Sequence, residues 1–582
     1  MEGETPMAQD RDPSRLRSQR WFAAEGMRAF SHRQRMQQMG FRRDELVGRP
    51  VIGILNTWSD LSPCHAHLRE RAEQVKRGIW RAGGAAVELP ALSLGEVIVK
   101  PTTMLYRNML AMEAEELLRS HPLDGAILMG GCDKTTPGLV MGALSMDIPV
   151  LFMPAGPMLN GYWRGEKVGA GTHTRRFWDE LQSGGITQAD WSEIESVSTR
   201  SPGTCNTMGT ASTMTSIVEA LGLTLPGAAA IPAMDAAHKR MASMCGERIV
   251  EMVWEDLKPT AIVTPQSVQN AIVALCALGG STNAVIHLVA IAQRAGLSLD
   301  LDAFDRTARE VPVLANLMPA GNHLMEDLFF AGGVPAVLSR VREKLDLDCM
   351  TVSGKRLGET LEGARVFDDD VIRPLDRPVS GKPPLAILRG NLAPEGAVIK
   401  PSAASPKLLK HRGRAVVFDH AGDLYKRIED PALPIDETSV LVLRNAGPIG
   451  GPGMPEWGNL PIPKRLLERG VRDMVRLSDA RMSGTHFGTC VLHISPEAAV
   501  GGPLALVRDG DEIVLDLDGR RLDLLVGEEE LARRRAEWKP PEPHYTRGYG
   551  AIFQSHIQQA HQGCDFDVLR PTGKATPEPD IY

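Results

Sequence analysis

The chain lacks any run of roughly 18 apolar residues, the length a membrane-spanning helix needs, so no membrane partner is expected. Its first stretch, MEGETPMAQDRDPSRLRSQRWF, is polar and carries no apolar segment of signal-peptide kind. Basic residues are not in excess: 65 Lys and Arg against 72 Asp and Glu leave a net charge of -7, which argues against a nucleic-acid partner. Cysteine is sparse, with eight in 582 residues at Cys64, Cys132, Cys205, Cys245, Cys276, Cys349, Cys490 and Cys564. They are too few and too scattered for a disulfide scaffold, and a reducing cytoplasm is the expected compartment. There is no G-x-S-x-G elbow and no His-Asp pair in a triad-like order, which leaves a hydrolase reading little support. No internal repeat is present.

What is there is an ordinary globular composition, 43% hydrophobic and 24% charged, in a chain too long for one core. VIGILN (51–56), AAVELPAL, GAILMGG (125–131) and the apolar part of ALSMDIPVLFMPAGP read as strands. HLRERAEQVKRGIWRAGG (67–84) and NMLAMEAEELLRS read as helices. Such alternation predicts a three-layer α/β unit with a mostly parallel sheet. The proline- and aspartate-rich stretch GARVFDDDVIRPLDRPVSGKPP reads as a linker. Beyond it RGRAVVFDH, TSVLVLRN, DMVRLSDA, CVLHISP and ALVRDGDEIVLDLDGRRLDLLV predict a β-rich, barrel- or sandwich-like domain, with Asp-Gly turns favouring hairpins. The expected division is a disordered arm over 1–20, an α/β domain over 21–375 and the β-rich domain over 376–582.

Three cysteines differ from the others in context. Cys64 (SPCHAH) and Cys132 (MGGCDKTTPG) each follow a predicted strand, and Cys205 (GTCNTMGT) lies in a polar loop leading into a helix. Loops at the carboxyl ends of parallel strands converge on ligand sites, so these thiols could meet. Their wide spacing matches no compact ligand motif, and each can equally be a buried structural thiol. Cys245 and Cys276 sit in apparent helices and, with Cys349, Cys490 and Cys564, read as structural. Three thiolates would leave one iron of a cluster uncapped and able to act as a Lewis acid. Asp133 beside Cys132 could hold a hard cation such as magnesium. On their own, Lys134, Glu96 and Glu456 read as ordinary charged side chains. Glu456 lies in a loop dense in glycine and proline, NAGPIGGPGMPEWGNLPIP (445–463), long enough to suggest function. SDARMSGTHFGTC (478–490) offers Ser483 and Thr485 among small residues that let a backbone approach a ligand.

SPCHAHL, MGGCDKTTPG, GTCNTMGTAST, LGGSTNAVIHL, GNLAPEGAVIK, GPGMPE, SDARMSGT and HISPEAAVGGPLALVRDGD, in this order, resemble the dihydroxy-acid dehydratase / phosphogluconate dehydratase family over about residues 20–570. The resemblance implies an iron–sulfur cluster, 2Fe–2S in preference to 4Fe–4S, on Cys64, Cys132 and Cys205. It implies magnesium on Glu96, Asp133 and Glu456, with Lys134 as a carbamate, since an ammonium has no lone pair to offer a cation. It implies Ser483 as the base, in alkoxide form, and Thr485 at the substrate. SLGEVIVKPTTMLYRNMLAMEAEEL and SDARMSGTHFGT resemble the sugar-acid (pentonate, L-arabinonate/D-xylonate-type) branch. The expected function is thus a cytoplasmic hydro-lyase, a homodimer or homotetramer, converting a small polyhydroxy acid to a 2-keto-3-deoxy acid. The alternatives are a dihydroxy-acid dehydratase of branched-chain amino-acid synthesis and, more distantly, an iron–sulfur electron carrier or sensor.

Overall fold

The computed structural model describes residues 11–572 and 577–581. Residues 1–10 of the expected disordered arm lie outside the described residues. Residues 11–20 are ordered where disorder is expected. Pro13–Arg15 forms a 3-10 turn, and Arg17 donates through Nη1 to the carbonyls of His121 (2.6 Å) and Leu123 (3.2 Å). A guanidinium that satisfies carbonyls just past a helix end holds its own segment in place.

The first half is built on four parallel strands, β1 (Val51–Asn56), β2 (Ala85–Pro90), β3 (Gly125–Gly130) and β4 (Val150–Pro154), in the order β2-β1-β3-β4. Every residue of β1, β3 and β4 is buried, as expected of strands covered on both faces. Helices α1 (Leu68–Arg81) and α6 (Ala236–Glu255) pack on one side, α2 (Met104–Ser120) and α3 (Thr135–Met146) on the other. Gly125 of β3 faces Val253 and Ile249 of α6 while Gly130 faces Leu139 and Thr135 of α3, the opposite parity that a period of two requires. Strand–helix alternation ends at β4. From there to residue 361 the domain is largely helical: α4 (Thr172–Gln182), α5 (Thr210–Ala220), α7 (Pro265–Ala277) and α8 (Asn283–Arg294) are the pieces that matter for the site. Cys245 and Cys276 lie inside α6 and α7, fully buried.

The second half is a closed eight-stranded barrel. Its strands are β5 (Ala386–Gly390), β6 (Ala393–Ile399), β7 (Lys410–Phe418), β8 (Val440–Leu443), β9 (Val475–Ser478), β10 (Cys490–Ser495), β11 (Glu512–Asp516) and β12 (Arg521–Leu524). Around the barrel the order is β8-β9-β10-β6-β5-β12-β11-β7. Of the two Asp-Gly turns expected to make hairpins, Asp518-Gly519 joins the antiparallel pair β11–β12, whereas Asp509-Gly510 follows a 3-10 turn over Pro503–Leu506; β5–β6 is a further antiparallel hairpin. The run β7-β8-β9-β10, by contrast, is parallel, joined by crossovers and long loops. Among the described residues no helix is long and apolar enough to cross a membrane.

The chain then returns to the first domain. Arg107 of α2 donates to the carbonyls of Gly563 (2.9 Å) and Cys564 (2.6 Å). Arg294 at the end of α8 pairs with Asp565, Nε to Oδ2 at 2.5 Å, both side chains 1% exposed. Removing one partner of a buried pair strands the other charge. Arg294→Met is therefore expected to lower unfolding stability by about 3–5 kcal/mol, read from the denaturant midpoint. Arg294→Met with Asp565→Leu should recover much of that loss, and a single variant with an unchanged midpoint would refute the assignment.

Candidate active site

β1 and β3 deliver two of the three singled-out thiols, because both strands end on the same side of a parallel sheet. Cys64 and Cys132 are buried and Cys205 partly so. The Cys64 thiol is pushed well above its ordinary value by a hydrogen bond with Cys132, by burial, and by the charges of Cys132, Cys205 and Asp133. Burial also pushes the Cys205 thiol up, with Asp133, Cys132 and Glu456 acting in the same direction. Cys64 thus lies within hydrogen-bond reach of Cys132, with Cys205, Asp133 and Glu456 near enough for their charges to act on these thiols. Cys132 has φ of 62°, a left-handed conformation unfavourable for a residue with a Cβ, and strain held at a loop tip is a mark of functional positions. The loop is braced by His65, whose Nδ1 meets Ser93 Oγ at 2.8 Å and whose Nε2 meets the Gly131 carbonyl at 3.0 Å. Burial drives His65 down to about 4, so it is neutral. Cys245, Cys276, Cys349, Cys490 and Cys564 lie apart from this group. Cys245 and Cys564, for instance, each face a methionine sulfur at 3.9 Å.

Lys134, fully buried, is the N-cap residue of α3. Its Nζ lies 3.1 Å from Glu96, 3.2 Å from Asp133 and 3.0 Å from Glu456. Three carboxylates from separate parts of the sequence therefore close on one ammonium. Burial and Arg481 both act to lower the Lys134 value, and Glu456, Glu96 and Asp133 outweigh them and raise it. Asp133 is raised to about 6, by burial first and by Glu456 and Glu96 against the pull of Lys134. Glu456 is the reverse case. Burial would raise it, but Lys134 and Arg481 bring it to about 2. Among the described residues, no set of three or more His, Cys, Asp or Glu side chains stands ready-made to hold a metal ion. Here the carboxylates converge on Lys134. Converting that ammonium to a carbamate would replace the central cation with oxygen donors, and the resulting all-oxygen cluster suits a hard divalent cation. The three clustered thiols likewise suit a soft metal centre. On donor chemistry both sets fit the groups expected for them.

The barrel reaches this nest through residues 455–456 and 478–490. Arg481 is fully buried and donates to Glu456 Oε1 (2.9 Å), the Met454 carbonyl (2.8 Å) and Thr102 Oγ1 (3.0 Å). Thr102 and Thr103 in turn donate to Glu96, Thr102 at 2.8 Å. Asn283, at the start of α8, donates to Glu456 (2.8 Å) and Thr210 (3.0 Å), and Thr210 meets Ser281 at 2.9 Å. A Cβ on Gly484 would stand 2.7 Å from the Ser281 side chain, so Ser483 is pressed against this network by a position only glycine fits. Ser483 Oγ and Thr485 Oγ1 are 2.9 Å apart, and Thr172 of α4 donates to the Thr485 carbonyl at 2.7 Å. Arg481, Asn283, Thr102, Thr210 and His65 were not singled out from the sequence. They fall in or beside quoted motifs, but nothing in a sequence marks an arginine as buried.

Comparison with known proteins agrees across the whole chain. The dihydroxy-acid/6-phosphogluconate dehydratase N-terminal domain matches residues 49–360 and the corresponding C-terminal domain residues 370–564. A 6-deoxy-6-sulfo-D-gluconate dehydratase of Pseudomonas putida is 60% identical, covering 97% of this chain and 98% of its own. An L-arabinonate dehydratase of Rhizobium leguminosarum bv. trifolii is 52% identical, covering 96% and 97%. A dihydroxy-acid dehydratase of Ignicoccus hospitalis is 42% identical, covering 87% and 92%.

The carboxylate nest makes a prediction independent of activity. Lys134→Met leaves three carboxylates facing one another without their central cation. Stability measured in chelator should fall by about 3–5 kcal/mol. A guanidinium midpoint equal to that of the wild type would show that Lys134 does not compensate them.

Proposed function

The chain belongs to the dihydroxy-acid/6-phosphogluconate dehydratase family, and from that membership and the site geometry we propose that it is a hydro-lyase converting an aldonic sugar acid to its 2-keto-3-deoxy acid. The observation that carries this reading is the meeting, through Arg481 and Asn283 on Glu456, of the serine loop with the carboxylate nest. A base, a hard-cation nest and a thiol cluster in one buried site match the needs of removing a proton and a hydroxide from adjacent carbons. Sugar-acid dehydratases at 50–60% identity favour an aldonic acid over the branched-chain dihydroxy acids.

Cys64, Cys132 and Cys205 would hold the iron–sulfur cluster, and Glu96, Asp133 and Glu456 with carbamylated Lys134 would hold magnesium. When bound, these groups supply Lewis acidity for the substrate carboxylate, the C2 hydroxyl and the departing C3 hydroxyl. Ser483 Oγ, as alkoxide, takes the C2 proton. Thr485 Oγ1, at 2.9 Å, donates to Ser483 Oγ and fixes its direction. Loss of the C2 proton and the C3 hydroxyl gives water and an enol. The enol gains a proton at C3 and becomes the 2-keto-3-deoxy acid, with no net redox change.

Three outcomes check the reading. Cys64→Ser, Cys132→Ser or Cys205→Ser should lose iron, visible absorbance and activity together, whereas Cys276→Ser should keep iron. Full iron content in the Cys132→Ser protein would remove the thiol assignment. Ser483→Ala should still bind substrate yet lose both dehydration and exchange of the C2 proton with deuterated solvent, a fall of at least about 10²-fold. Near-normal exchange in that variant would place the base elsewhere. Faster turnover of 2,3-dihydroxyisovalerate than of every pentonate and hexonate would favour the dihydroxy-acid alternative.

A further inference from the structure

Every donor that reaches the Glu456 carboxylate ends on the same oxygen. Lys134 Nζ (3.0 Å), Asn283 Nδ2 (2.8 Å) and Arg481 Nη1 (2.9 Å) all meet Oε1. Among the described residues no hydrogen bond or ion pair ends on Oε2. Three donors fill the lone-pair directions of Oε1 and leave Oε2 as the oxygen with capacity to spare. Arg481 and Asn283 differ from Lys134 in one respect. A carbamate at Lys134 removes the ammonium donor, whereas a guanidinium and a carboxamide NH2 remain donors. With Lys134 carbamylated, the hold on Oε1 rests on Arg481 and Asn283.

Arg481 acts at more points than this one. Its three guanidinium nitrogens go to three partners: Nη1 to Glu456, Nε to the Met454 carbonyl (2.8 Å) and Nη2 to Thr102 Oγ1 (3.0 Å). Its backbone N–H donates to the Pro455 carbonyl (3.3 Å), and its carbonyl accepts from the Gly458 N–H (2.8 Å). The segment 454–458 is thus clasped by its main chain and by its acidic side chain together. Arginine can only donate, so Thr102 Oγ1 accepts from Arg481, and its own proton goes to Glu96 Oε1 at 2.8 Å. Thr103 donates to the other oxygen of Glu96. One buried guanidinium therefore orients Glu456 directly and Glu96 through a hydroxyl. A lysine, a point charge on a flexible stem, cannot serve three fixed partners in this way. The consequence concerns the choice of ion. Calcium gathers many oxygens and accepts both oxygens of one carboxylate, whereas magnesium is smaller and holds to near-octahedral geometry. A Glu456 that presents Oε2 alone suits the smaller ion.

We propose that Arg481, Asn283 and Thr102 are positioning residues that restrict Glu456 to one ligating oxygen, hold Glu96 in register with it, and so make the site select magnesium over calcium. The proposal rests on the magnesium assignment within the dehydratase reading and adds the residues that set the choice of ion. Cluster-loaded protein in bicarbonate buffer is stripped of divalent cations, and binding of magnesium, manganese and calcium is measured by calorimetry. The wild type should bind magnesium more tightly than calcium. Arg481→Lys and Asn283→Leu should each lower the magnesium-to-calcium affinity ratio about tenfold, with calcium weakened least. Thr102→Val, nearly the same shape, should lower the ratio in the same direction, and Thr102→Ser, which keeps the hydroxyl, should restore it. Should Arg481→Lys not fold, the Asn283 and Thr102 variants decide. An unchanged ratio in these variants, or a parallel loss of both ions, overturns the proposal and leaves the magnesium assignment standing. A wild type that binds no divalent cation removes both. A wild type that selects magnesium through these residues yet dehydrates no sugar acid keeps the proposal and removes the dehydratase reading.

Discussion

The enclosure of Lys134 by Glu96, Asp133 and Glu456 is the constraint on which the rest of the site depends. A buried ammonium or carboxylate is costly unless its partners are close and its remaining hydrogen bonds are met. Each partner here comes from a different layer of the molecule: Glu96 from the segment after β2, Asp133 and Lys134 from the end of β3, and Glu456 from the barrel. Glu456 and Arg481 join Lys134, Glu96 and Asp133 only when barrel and sheet domain are docked, so the ion cluster fixes their registry as well as the site. Two cations, Lys134 and Arg481, face three carboxylates, and Asp133 is raised to about 6 by burial first and then by Glu456 and Glu96. A pocket with a surplus of negative charge draws in positive charge.

Much of this was legible in the sequence, for reasons that can be stated. β1 and β3 showed as apolar runs because both faces are covered, and residues at their carboxyl ends inherit convergence from the sheet itself. That is why Cys64 and Cys132 could be expected at one end of the sheet, while their assignment to a shared site with Asp133 came from the resemblance of the motifs to the dehydratase family. The barrel was half legible. The β11–β12 hairpin follows from its Asp-Gly turn, but the parallel run β7-β8-β9-β10 does not, because apolar alternation is the same whichever way a neighbour runs. Whether the strands close into a barrel or stack as two sheets depends on those pairings. Arg481, Asn283 and Thr102 stayed hidden for another reason. Their role comes from burial beside a carboxylate that is distant in sequence, and a buried arginine and a surface arginine are the same letter.

The packing around Ser483 shows how little freedom the loop has. Gly484 stands against Ser281, Gly171 against Thr485, and Thr172 holds the Thr485 carbonyl. The serine loop is clasped by helical segments of the other domain on both sides. Its direction is set by contacts outside the barrel, and its anchorage by strands inside it.

The closure of the barrel has a consequence for how the molecule meets other chains. A sheet closed on itself exposes no row of unpaired backbone donors and acceptors. The sheet of the other half has two outer strands, β2 and β4. On β4, Phe152 N–H is taken by the Leu223 carbonyl at 2.9 Å. On β2, Glu88 accepts from Asn56 of β1 at 2.8 Å and pairs with Lys76 of α1 at 2.6 Å, which ties this outer strand to its neighbour and to the covering helix. The barrel and the β4 edge therefore offer no ready template for strand addition among the described residues. A chain that meets the barrel or β4 must read side chains on helices and loops rather than extend a sheet.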